Sequence, residues 1–215
     1  MKKILTITVA LLWGLVALGQ TAQQIVARME AAMPAPEVYR QEGLALTMDM
    51  KIPILGTTTS TAYTLGERMY VELRNGAGEV QAYTWRNPQT TWTYLVKDKR
   101  IEITNTNPVV KDSNSGDVEM FKGVTDGYDV SIKKETADAW YILCKKSKSN
   151  TKKDDPATME LVVAKGTYAP VSLSSRVAGI AITLRDIQYG VTEDQVTFDK
   201  SKYPNVVVVD KRLLP

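Results

Sequence analysis

A period-two alternation running from Ala157 to Asp210 constrains this chain more than any other feature. Met159, Leu161 and Val163 alternate with Thr158 and Glu160, Val171 and Leu173 flank Ser172, and Ile180, Ile182 and Leu184 alternate with polar neighbours such as Thr183. Successive side chains of a strand point to opposite faces, so the pattern predicts strands that are apolar on one face and polar on the other. The connections at Gly166 and at Ala178-Gly179 have the short length that joins antiparallel neighbours. The same alternation recurs upstream, in Leu44, Leu46, Met48 and Met50, in Met69, Val71 and Leu73, and in Ile101 and Ile103. A Thr-rich strand spans Thr57 to Leu65, and Asn75-Gly76 is a tight-hairpin signal. Val80 to Trp85 meets Thr91 to Val96 across Asn87-Pro88-Gln89. Strands resume at Tyr128 to Ile132 and Ala139 to Lys145, and a break between Leu184 and Ile187 reads as a bulge. About eleven antiparallel strands are expected in all.

Helices are few. Ile25, Val26, Met29, Ala32 and Met33 recur at helical spacing, Thr21 is placed to cap the start, and Pro34 and Pro36 end the run. Strand patterning lapses from Asn105 to Thr125, where Val118-Glu119-Met120-Phe121 has room for one short helix. One main helix cannot cover so wide a sheet. A curved sheet of this kind wraps its apolar face inward and leaves a concavity that the helix partly covers. Its wall would be aliphatic and thioether, with rings from Trp85, Trp92 and Tyr94, a surface that suits acyl chains. The patterning is equally compatible with a filled core, and the two readings stay open.

With 215 residues, no internal repeat and no shift in composition, residues 20–215 read as one domain. Residues 1–19 have the three parts of a cleavable signal peptide: Lys2-Lys3, the apolar stretch from Ile4 to Leu18, and small residues at Ala17-Leu18-Gly19 before Gln20. That apolar stretch is short against the roughly twenty residues of a membrane span. An exported, soluble protein is expected. Setting aside Lys2 and Lys3 leaves 25 basic residues against 24 acidic ones, so no nucleic-acid partner is expected. Cys144 is the sole cysteine, which rules out a disulfide within the chain. The sequence has no histidine, which removes Ser-His-Asp and Cys-His machinery and the commonest transition-metal ligand. Gly76-Ala77-Gly78 lies in a hairpin and opens no helix, so it is no phosphate loop. Glu42, Asp49, Asp126 and Asp129 read as surface carboxylates. The expectation is a binding protein, not an enzyme, with no cofactor and no metal. The loop from Lys145 to Lys153 carries five lysines. It reads as a solvated hairpin tip or as a contact for anionic lipid headgroups or an acidic partner.

The order of these features resembles the LolA family of periplasmic lipoprotein carriers, in a Bacteroidetes-type form, over nearly all of residues 20–210. The likeness rests on the leader followed by a helix and on Trp85 with Thr91-Trp92-Thr93-Tyr94. It rests also on Leu184-Arg185-Asp186-Ile187-Gln188-Tyr189-Gly190-Val191, and on Phe198-Asp199 with Tyr203-Pro204-Asn205-Val206-Val207-Val208-Val209-Asp210. The resemblance implies a mainly β fold with some helix: an unclosed antiparallel β-barrel, or half-barrel, with a helical lid over a hydrophobic cavity for lipoprotein acyl chains. It implies Leu46, Met48, Met69, Val71, Trp92, Tyr94, Met159, Leu161, Leu173, Ile180 and Ile182 as cavity residues, with Ile25 and Met29 beneath the lid. The family's lid-latching Arg-Pro pair is replaced around Gly66-Glu67-Arg68, which leaves Arg68 as the candidate latch. The implied partners are acylated lipoproteins, an inner-membrane lipoprotein-releasing transporter that hands over the cargo, and an outer-membrane acceptor. The expected state is a periplasmic monomer that moves cargo from inner to outer membrane. The alternative is a periplasmic lipid or lipoprotein sensor or adaptor on the same fold.

Overall fold

A computed structural model describes residues 20–106 and 121–212. The leader expected over residues 1–19 and most of the short helix expected at Val118 to Phe121 lie outside the described residues. In chain order come α1 (Ala22–Ala32), α2 (Pro36–Glu42) and strands β1 (Leu44–Ile52), β2 (Gly56–Leu65), β3 (Arg68–Arg74), β4 (Val80–Arg86), β5 (Thr90–Leu95) and β6 (Arg100–Asn105). Strands β7 (Tyr128–Glu135), β8 (Ala139–Lys146), β9 (Thr158–Ala164), β10 (Pro170–Val177) and β11 (Ile180–Tyr189) follow. A short α3 (Glu193–Val196), a 3₁₀ turn (Lys200–Lys202) and β12 (Val207–Asp210) close the order.

The twelve strands of the described residues belong to one sheet, in the order β12-β6-β5-β4-β3-β2-β1-β11-β10-β9-β8-β7. The two end strands do not pair with each other, so the sheet is an unclosed half-barrel. Every neighbouring pair is antiparallel except β12, which runs parallel to β6. The bulge expected in the eleventh strand is present: the β1–β11 register slips between Ala45 and Thr47, opposite Asp186, whose φ is +54°.

Helix α1 starts on a reciprocal cap. The Gln24 N–H donates to the Thr21 hydroxyl at 3.2 Å, and the Thr21 N–H donates to the Gln24 side chain at 3.0 Å. Its Ile25, Val26 and Met29 pack on Trp140, Ile142, Cys144, Met159, Leu161 and Val163 of β8 and β9. Phe121 belongs to the same core. Helix α2 was not foreseen, because Pro36 opens it instead of merely ending α1. Tyr39 of α2 sits edge-on to Tyr189 at 5.0 Å. Gly43 then turns the chain into β1 at φ +74°, where an added Cβ would lie 2.4 Å from the Thr64 carbonyl oxygen.

Leu161 and Ile142 are fully enclosed in the α1 core. Leu161→Ala is expected to lower stability by about 2–5 kcal/mol, read from urea unfolding followed by tryptophan fluorescence. A loss below about 1 kcal/mol would show that α1 does not pack there as described.

Candidate functional site

Directly paired residues share a face, so the register can be followed across the sheet. One such row runs Ile132, Ile142, Leu161, Leu173, Leu184, Met48, Ser60, Leu73, Ala82 and Leu95, from β7 to β5. It is apolar across ten strands but for Ser60. Flanking it are Met159, Ile182 and Met50 on one side, and Leu46, Ala62 and Val71 on the other. Beyond β4 the same face turns polar, with Thr93, Arg100 and Glu102.

The cover over this face is uneven. Helix α1 encloses the β8–β9 end, where Met159 and Leu161 are buried, and Leu173 packs against that core. At β11 Ile187 packs against the α1 core and Tyr39 of α2 meets Tyr189, while Leu46, Met48, Met69, Val71, Ile180 and Ile182 are half-buried and lie outside the α1 core. Strand β2 contributes only small side chains to this face, Thr58, Ser60, Ala62 and Thr64. It therefore forms a shallow trough between the methionines of β1 and the aliphatic residues of β3. The Thr58 hydroxyl is buried there without a hydrogen-bond partner.

Two of the expected cavity residues are not on this face. The pairings Trp85–Trp92 and Tyr83–Tyr94 carry Trp92 and Tyr94, with Trp85, to the opposite side of the sheet. There Trp92 stacks on Phe198 at 5.3 Å and Tyr94 meets Tyr203 at 4.8 Å, beneath the C-terminal segment. Within β5 the parity is fixed by Leu95, which pairs with Ala82 on the apolar row. The rings are the floor of a second core, not the wall of the first.

Arg68 does not reach α1 either. Its guanidinium pairs with Glu193 of α3 and ties the β2–β3 turn to the C-terminal segment. The polar ties of α1 come from elsewhere. Arg28 donates to the Tyr168 hydroxyl at 2.7 Å, and the Glu30 carboxylate accepts the Gly123 N–H at 3.0 Å.

A cavity of about 730 Å³ lies on the aromatic face, between β1–β4 and the C-terminal segment. It is polar, lined by Thr47, Thr59, Thr61, Tyr70, Glu72 and Arg185 among others. Arg185 chelates Asp49 at 2.7 Å, and Thr59 donates to the same carboxylate at 2.7 Å. The Arg185 hydrogen bond holds the Asp49 carboxyl below its usual range against a smaller opposing push from burial. Arg74 pairs with Glu72 at 2.5 Å. Acids and bases here mostly satisfy one another, so the cavity has the character of a structural polar layer. Among the described residues no three Cys, Asp or Glu side chains gather in a way that would hold a metal ion.

No protein-family model matches the chain, and no curated protein matches it. Solved structures do. LprF from Mycobacterium bovis aligns with 80% of this chain and 93% of its own at 10% identity, with a TM-score of 0.50. An uncharacterized conserved protein from Thermus thermophilus aligns with 88% of this chain and 98% of its own at 17% identity, TM-score 0.42. A LolA superfamily protein from Nitrosomonas europaea aligns with 85% and 99% at 10% identity, TM-score 0.33. The likeness to LprF shows a shared fold.

Because Asp49 titrates below its ordinary value, its ion pair stabilises the fold above about pH 4 and that contribution fades as pH falls through the lowered value. Asp49→Asn is expected to flatten the acid limb of a stability–pH curve measured with urea. An unchanged acid limb would mean that the pair is not formed in solution.

Proposed function

We propose that this protein is a carrier that shelters the acyl chains of lipoproteins on the open apolar face of the half-barrel, in transit across the periplasm from inner to outer membrane. The observation that supports the reading is the row across β3, β2, β1 and β11, apolar but for Ser60, half-buried and, among the described residues, outside the α1 core. A monomer keeps a contiguous apolar surface of this kind when something binds there. Methionines at 48, 50 and 69 give it a wall that adapts to chains of different shape. The orphaned Thr58 hydroxyl offers one hydrogen bond, of the sort an ester or amide carbonyl accepts.

Binding of this kind needs no covalent step and no cofactor, and the protein acts as a binding protein, not an enzyme. Each methylene moved out of water gains about 0.8 kcal/mol. The trough at β1–β3 receives a chain directly, whereas a chain that runs on toward β9 must displace α1. Exposing Ile25, Val26 and Met29 costs roughly 5–9 kcal/mol, while a chain of about sixteen carbons gains about 12. One long acyl chain therefore offsets the opening of α1 and a short one does not. An inner-membrane releasing transporter loads the carrier, and an outer-membrane acceptor with a better-covered site draws the chain off.

Cys144 serves as a built-in reporter of that motion, since it is fully buried under α1 and burial pushes its thiol up to about 11. At pH 8 it is about one part in a thousand thiolate. Maleimide labelling is expected to be slow in the empty protein and at least tenfold faster with a long-chain lipopeptide, and unchanged with a short-chain one. Met48→Glu and Val71→Glu, both at half-exposed positions, should leave the protein folded and abolish uptake of a fluorescent acyl probe. Folded variants that bind the probe as well as the parent would overturn the carrier reading.

A further inference from the structure

The ends of the strands are unlike one another. At one end the β1–β2 connection is Pro53-Ile54-Leu55, and it carries the two most exposed large aliphatic residues of the described chain, Ile54 at 105% and Leu55 at 81%. The Leu55 N–H donates to the Pro53 carbonyl at 2.8 Å, with Ile54 between them at φ +70°. This is a γ-turn of the rare positive-φ kind, and a β-branched residue held there is strained. A polar or glycine residue would satisfy such a turn at less cost. The tip spends strain and solvent exposure on two greasy side chains.

The antiparallel order fixes what stands beside it. The β3–β4, β5–β6, β8–β9 and β10–β11 connections all emerge at the same end of the sheet. Lys51 and Arg176 are exposed on the strands next to the tip, and both pair with Ala181. Lys97 and Lys99 are exposed at the β5–β6 turn. The lysine-rich connection between β8 and β9 lies three strand spacings from β1, roughly 15 Å away. From Lys145 to Asp155 it holds five lysines and two aspartates. In a chain that is close to neutral beyond its leader, one rim of the sheet therefore combines an aliphatic tip with basic flanks on both sides.

We infer that this rim docks on an anionic phospholipid bilayer, with Ile54 and Leu55 entering the interface and the flanking lysines meeting headgroup phosphates. Aliphatic burial supplies attachment, and the lysines supply attraction that acts within about a Debye length of the surface. The trough opens toward the same rim through Met50, Ile180 and Ile182, which lie at the ends of their strands nearest the tip. Docking would thus set the mouth of the acyl site against the membrane that donates or receives the chain. This role rests on the carrier reading, but membrane attachment and acyl-probe uptake are measured separately and fail separately.

The test is co-sedimentation of the processed chain beginning at Gln20, which holds every described element of the fold, with vesicles of phosphatidylglycerol and phosphatidylethanolamine. Binding is expected, weaker at raised salt and weaker to phosphatidylcholine alone. Ile54→Asp with Leu55→Asp should reduce it roughly tenfold or more, while leaving the thermal melt and the acyl-probe affinity unchanged. Lys148→Glu with Lys152→Glu and Lys153→Glu should reduce binding to the anionic vesicles only. The inference is overturned if the parent ignores anionic vesicles, if the tip variant binds them equally well, or if neutral and anionic vesicles bind alike. It is equally overturned if the tip proves to join two copies of the chain, giving a dimer that the double aspartate variant dissolves.

Discussion

Cross-strand register is the constraint on which the rest of this structure depends. A side chain's face is decided by its parity, and a shift of one residue would send every side chain of a strand to the other side. Here the registers of nine consecutive strand pairs agree, and they line up aliphatic and methionine residues from β7 to β5 on one face. The bulge at Asp186 is part of that agreement. It absorbs one residue between Arg185 and Ile187, so that Ile187 faces the α1 core while Arg185 reaches Asp49 on the other side. Without it, the two halves of β11 could not serve both faces.

The sheet is held by two cores on opposite faces and at opposite ends. Helix α1 covers the apolar face at β8–β9, where mostly aliphatic residues and Cys144 surround Ile25 and Met29. The C-terminal segment covers the other face at β4–β5, where Phe198 and Tyr203 lie on Trp85, Trp92 and Tyr94. Each cover stops near the middle of the sheet. Among the described residues that leaves Leu46, Met48, Val71 and Ile182 of the apolar face outside either core, and the polar cavity with Arg185 and Asp49 on the reverse. The end strands are protected differently. Strand β7 shows Lys133 and Lys134 to solvent and β12 is only four residues long, two devices that discourage pairing with another chain.

An open apolar trough and an aliphatic rim are two forms of the same unmet demand for burial. The trough is lined by side chains already fixed in strands, so binding there costs little ordering of the protein. Helix α1 is the element with the most to lose on opening, but its described polar ties to the rest of the fold, the exposed Arg28 to Tyr168 and the part-buried Glu30 to Gly123, are few. Its hold on the sheet is chiefly apolar, which is the kind of hold that an acyl chain can replace.

The alternation of residues 157–210 and of 44–50 determined by itself that this would be an antiparallel sheet with one apolar face. Nine of the eleven expected cavity positions lie on that face, and the capped start of α1 and the bulge in β11 were also legible, because local chemistry sets them. Trp92 and Tyr94 were misplaced because alternation gives parity within a strand but not between strands. Only pairing decides that Trp92 sits opposite Trp85 and Leu95 opposite Ala82. Arg68 was misread for a related reason: its partner Glu193 lies 125 residues away, and no local pattern announces an ion pair at that distance. Likewise Ile54 and Leu55 resemble any aliphatic pair in the sequence. It took the strained turn at a strand end to hold them in water, because exposure is a property of the assembled sheet and not of the residues.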